Sequence, residues 1–166
     1  MAEEILVTKA RVGYSGIFSM DDFYRLMYDL FSGLGYDVEE AKYTTKKKPD
    51  GDVIAIEWNN FKKVDDYSQF KIWMKISISE LEKVQVQIGG IPSTKNKGNV
   101  EMELKVMIIT DYENRWEINP MLKFLKGIYD VYFYKSTFDT WKQKAATDMH
   151  TIENEAKAFF NMQRFM

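Results

Sequence analysis

The strongest constraint in this chain is the period of its apolar residues, which changes twice. Phe70, Ile72, Met74, Ile76 and Ile78 fall on one side of a two-residue repeat, and Lys71, Lys75, Ser77 and Ser79 on the other. Successive side chains of a strand point to opposite faces, so this segment predicts a strand with one buried and one wet face, as antiparallel sheets have. The same period runs through Tyr36 to Thr44, through Ile54, Ile56 and Trp58, through Val84, Val86 and Ile88, and through Val100, Met102, Leu104, Val106 and Ile108. Turn chemistry separates these runs. Pro49-Asp50-Gly51 combines a preset φ with a residue free to take positive φ, Lys62 to Asp66 is a polar bend, and Gly89-Gly90 is a break. With connections this short, the five runs predict an antiparallel meander.

A helical period lies on either side of the meander. Ile5 to Tyr14 reads as a first strand ending at Gly13 and Gly16. Ser19 then caps a helix with Asp22 three residues on and Phe18 stapled to Phe23. The stripe Phe23, Leu26, Met27, Leu30, Phe31 and Leu34 ends at Gly35. After the meander, Asn119-Pro120 is a cap followed by proline at the first helical position, and Leu122, Leu125, Ile128, Tyr129 and Tyr132 continue at helical spacing. Phe138, Trp141, Ala145, Met149, Ile152, Ala156 and Phe159 carry that spacing to the chain end. An unbroken helix from Pro120 to Phe165 would run about 65 Å, more than a small domain is wide. Ser136 with Asp139 offers a second capping box, which predicts a break near Tyr134 to Thr137.

The expected fold is therefore α+β: strand, helix, five-stranded antiparallel meander, then one long or broken C-terminal helical segment. It is expected as one domain over residues 1–166, since a chain of 166 residues buries enough surface to need no staple. This element order is similar to that of the helix-grip fold, in which a curved sheet wraps a helix and often encloses an apolar cavity. The chain departs from that pattern in having one helix rather than two after the first strand, and no glycine-rich loop between the first two meander strands.

Composition removes several functions. Without cysteine the chain has no disulfide, thiolate nucleophile or iron-sulfur cluster, and a single histidine, His150, makes no multi-histidine site. A net charge of -2 argues against general nucleic-acid affinity, which rests on neutralised phosphates. No dinucleotide fingerprint, phosphate loop or nucleophile-base pair stands out, so no cofactor is expected and catalysis is not the leading reading. The alternating charges Asp111, Glu113, Arg115 and Glu117, with Tyr112 and Trp116, read as a solvated strand end. The apolar stretches fall short of the roughly 20 residues that span a bilayer, and no signal-type run opens the chain, so the expected location is the cytoplasm.

Two expectations about contacts remain. Trp73 lies on the lysine-bearing face of its strand, and Phe159, Phe160, Met162 and Phe165 crowd a chain end where polar residues are the norm. These residues suggest an interaction or assembly subunit, self-associating or bound to a protein partner through its C-terminal helices and outer sheet face. The alternative is a carrier of an apolar small molecule or lipid, held between sheet and helix by Ile72, Met74, Ile76, Val86, Leu104, Val106, Phe138 and Trp141. Loop lysines add a weaker signal. In a five-stranded meander, Lys62 and Lys63 fall at the same end of the sheet as Lys95 and Lys97 and could attract an anionic partner.

Overall fold

The computed structural model describes residues 2–114, 120–132 and 134–165. Its elements are β1 (Glu3–Phe18), α1 (Met20–Gly33), β2 (Asp37–Lys46), β3 (Asp52–Lys63), β4 (Ser68–Ile88), β5 (Ile91–Thr110), α2 (Pro120–Tyr132) and α3 (Lys135–Gln163). The fold is α+β, with an N-terminal strand and helix, a five-stranded antiparallel sheet and C-terminal helices. The strands lie in the order β1-β5-β4-β3-β2, so β2 to β5 form a meander and β1 joins its far edge beside β5. That return requires a connection across the whole sheet, and α1 supplies it. Its 14 residues span about 21 Å, close to the ~19 Å that separates the first and fifth strands of a sheet. The arrangement is helix-grip-like.

Both ends of α1 form as the sequence chemistry predicts. The Ser19 hydroxyl accepts from the Asp22 amide at 3.3 Å, and Gly35 at φ +90° turns the chain out while the Tyr36 amide bonds back to the Phe31 carbonyl at 2.9 Å. Phe23, Met27 and Phe31 of α1 and Ala145, Met149, Ile152, Ala156 and Phe160 of α3 share one core with the inner residues of the strands. Alanine at positions 145 and 156 leaves room for α3 to lie close to β1 and β5. The helix also has a polar tether. Asp148 accepts from the Tyr36 hydroxyl at 2.9 Å and from the Lys62 ammonium at 3.3 Å, which holds α3 to the ends of β2 and β3.

Four local expectations need correction. β1 does not stop at Gly13: its pairing with β5 carries on to Phe18 opposite Asn96, because β5 is itself 20 residues long and offers it a partner throughout. Val84 to Ile88 is not a separate strand but the continuation of β4 past a one-residue bulge, where Glu80 takes φ +52° and pairing resumes at Glu82 opposite Lys97. The meander so has one turn fewer than expected, and that changes which ends its turns occupy. Lys95 and Lys97 lie at the end of the sheet opposite Lys62 and Lys63. Last, the helical segment does break between Tyr132 and Lys135, but Tyr134 stands at the cap position and makes no side-chain cap, so the Ser136 box does not form. The Asn119 cap lies outside the described residues.

Past the bulge, β4 and β5 leave the sheet as a two-stranded ribbon tipped by Gly89 and Gly90, since β1 reaches only to Asn96 and β3 only to Leu81. The turn at Gly51 supports the bulge closely. Gly51 sits at φ +125°, and a Cβ there would lie 2.6 Å from the Glu80 carbonyl carbon.

Candidate functional site

One end of the sheet gathers the turn between β3 and β4, the end of β5 and the elbow between α2 and α3. Asp65 organises it. Its Oδ1 accepts the amides of Tyr67 at 2.8 Å and Ser68 at 2.5 Å, an arrangement typical of aspartate in tight turns, while its Oδ2 accepts the indole N–H of Trp141 at 3.1 Å. A turn in the sheet is thereby bonded to the first turns of α3. The Tyr67 hydroxyl donates to Asp130 Oδ1 at 2.8 Å, and the Tyr67, Tyr129 and Tyr134 rings pack with centroids 5.0 to 5.9 Å apart. Asp111, buried and at φ +50°, has the Lys126 ammonium of α2 3.8 Å away. Burial first, then neighbouring carboxylates, pushes the phenols of Tyr67 and Tyr134 well above the ordinary tyrosine value, so both stay protonated at neutral pH.

A cleft of about 390 Å³ opens beside this network, lined by Glu3, Ile5, Tyr67, Thr110, Asp130, Val131, Tyr134, Lys135 and Phe138. The Tyr134 hydroxyl is buried and makes no hydrogen bond. A buried hydroxyl without a partner costs about 1 to 3 kcal/mol, so its position is informative.

The second feature is the outward side of α2. Leu122, Lys126, Tyr129 and Asp130 form the half-buried side on which the helix rests, and none of its described residues is fully buried. Facing away are Met121, Phe124, Leu125, Ile128, Val131 and Tyr132, of which Phe124 is 69% and Tyr132 77% exposed. Positions 121, 124, 125, 128, 131 and 132 follow the helical repeat, so these side chains form one continuous apolar stripe. Isolated exposed apolar residues need no explanation; a contiguous stripe marks a contact surface.

The residues singled out from sequence divide between core and surface. Phe160 is buried and stacks on Tyr14 with centroids 4.7 Å apart, while Phe159 is half-buried against Phe23 at 5.5 Å. Met162 and Phe165, a turn further on, are 61% and 90% exposed. Trp73 does lie on the outer face, half-buried, with the Lys105 ammonium 4.8 Å from its ring centroid. That face is otherwise bridged by charge, with Arg11 paired to Glu103 and Glu101 and Lys71 to Glu4.

Ile72, Met74, Leu104 and Val106 come together under α3 with 0% exposure and Ile76 with 1%, and Phe138 and Trp141 pack at their margin. Val86 does not join them. The extra residue at the bulge inverts the alternation, so Val84, Val86 and Ile88 lie on the outer face of the ribbon. Lys62 is bonded to Asp148, and Lys63 lies over the Tyr112 ring at 5.6 Å. His150 is exposed, with Nδ1 3.0 Å from Glu153. Arg115, Trp116 and Glu117 lie outside the described residues.

Sequence reading missed the outward residues of α2 because the helix is apolar over more than half its circumference. Leu125 and Ile128 read from sequence only as continuing the helical spacing, and the available signal was that breadth itself. Tyr67, Thr110, Asp130 and Tyr134 come from separate parts of the chain and share no local pattern. No family model and no curated protein sequence matches this chain. Among the described residues no group of three or more acidic or histidine side chains is placed to hold a metal ion, and no helix is long and apolar enough to cross a membrane.

Proposed function

We propose that this chain is a non-catalytic, cytoplasmic assembly subunit that associates with itself through the apolar stripe of α2, with Met162 and Phe165 as a second contact. The observation that carries this reading is the stripe itself. Fully burying a side chain of the size of Met, Phe, Leu, Ile or Val contributes about 1.5 to 3 kcal/mol, and α2 holds five such side chains in the open. The carrier reading has less support, because Ile72, Met74, Leu104 and Val106 have no accessible surface, whereas the wall of a void wide enough for water would retain some.

Light scattering over a range of concentrations tests the proposal. The expected outcome is a mass that rises above the 19.6 kDa of one chain and returns to it in the double variant Phe124→Glu, Val131→Glu. Both positions are exposed, so the fold should survive the substitutions. A mass of 19.6 kDa at every concentration would remove self-association and bring the carrier reading forward.

A further inference from the structure

The cleft beneath the α2–α3 elbow combines an apolar floor with a polar group that lacks its complement. Asp130 is half-buried among tyrosine rings, and its one hydrogen bond is from the Tyr67 hydroxyl, which occupies Oδ1. No ammonium or guanidinium lies within ion-pair distance of it among the described residues. A partly desolvated carboxylate is stabilised by a cation, and the one ammonium in the cleft lining, that of Lys135, is not within ion-pair distance of it. Tyr134 lines the same cleft, while its hydroxyl is closed off from solvent.

We infer that this cleft binds a small organic amine, its ammonium bonded to Asp130 Oδ2 and its apolar body lying against Ile5, Val131 and Phe138. The cleft volume of about 390 Å³ falls within the range of small-molecule sites. Aromatic rings favour a cation over an anion, and Phe138, Tyr67 and Tyr134 line the cleft, although the Lys142 ammonium already lies 4.8 Å from the Phe138 centroid and that of Lys126 6.0 Å from the Tyr67 centroid. The charged lining residues agree in sign: Glu3 and Asp130 outnumber Lys135. A carboxylate ligand would meet two like charges, and a neutral alcohol would leave Asp130 without a counterion. The inference rests on Asp130, which belongs to the side of α2 that rests on the domain; Val131 is shared with the exposed stripe, so the titrations are made at a concentration where the chain is monomeric.

Calorimetric titration of the full chain with three probes of one shape, phenethylammonium, 3-phenylpropionate and 2-phenylethanol, tests it. Saturable binding of the amine, at least tenfold tighter than either of the others, is expected. Asp130→Asn should weaken it by roughly ten- to a hundredfold, the usual worth of a hydrogen bond to a charged group. Since that variant also alters a partner of Tyr67, Val131→Lys at an exposed position is the companion: its tethered ammonium should compete and abolish amine binding without changing the circular dichroism spectrum. Equal affinity for the three probes, no binding of the amine, or amine binding unchanged in both variants overturns the inference.

Discussion

Replacing Phe160 by alanine tests whether the phenylalanines at the chain end belong to the domain or to a partner. Phe160 is 3% exposed, with its ring 4.7 Å from Tyr14, 4.8 Å from Phe23 and 6.0 Å from Phe18. Truncating a buried phenylalanine costs about 3 to 5 kcal/mol, from lost transfer energy plus the cavity left behind. The site lies in the last turn of α3, where the backbone can relax into part of the space, so the lower end, about 3 kcal/mol, is the expected value. With a urea dependence of about 2 kcal/mol per molar, the midpoint should fall by about 1.5 M at unchanged slope. Phe165→Ala, at 90% exposure, should leave it within about 0.25 M. The assay is urea unfolding followed by far-ultraviolet circular dichroism at a concentration where the chain is monomeric. If Phe160→Ala moves the midpoint no more than Phe165→Ala does, the packing of α3 against the sheet is wrong. Deleting the whole segment from Phe159 onward would not answer the question, because it removes core and surface together.

Two further outcomes follow from the buried polar groups. Asp148→Ala leaves the Tyr36 hydroxyl and the Lys62 ammonium without their acceptor and should cost about 3 kcal/mol in urea unfolding, moderated because the lysine retains some access to water. Asp148→Asn keeps an acceptor for the tyrosine and should cost about half as much; equal losses would mean that charge is irrelevant there. Alkali should also destabilise the domain. The Tyr24 phenol, half-buried and bonded to Glu40, is raised to about 12, and those of Tyr36, Tyr67 and Tyr134 are raised further. A raised native pKa favours the neutral phenol in the folded state, so stability is intact below about pH 10 and falls as pH climbs through the native values. A urea midpoint that stays flat between pH 10 and about 12 would contradict this.

Much of the fold was legible because period and turn chemistry are local. Phe70 to Ile78 gave the inner face of β4 correctly, and Ser19 and Gly35 gave both ends of α1. Pairing depends on partners distant in sequence and was read less well. Nothing between Ser79 and Glu82 announces a bulge, since Glu80 and Leu81 are unremarkable in a turn, and reading them as one separated a continuous strand into two and displaced the loop lysines to the wrong end. The site was legible only in part. Phe159 to Phe165 stood out as an apolar chain end, but whether a ring there is covered depends on Tyr14 and Phe23, more than a hundred residues away. The stripe on α2 was present in the sequence as an excess of apolar positions that a single core-facing stripe could not use.

The ribbon at the far end of β4 and β5 gives the fold a place to change length. Its residues pair only with each other, so removing or adding two successive matched pairs on the two strands slides the Gly89-Gly90 tip along without disturbing the register of the sheet. Changes of that kind keep every remaining side chain on its own face, whereas a single residue gained on one strand demands another bulge. Descendants of this sequence could therefore differ in reach by steps of two residue pairs while sharing an unaltered core.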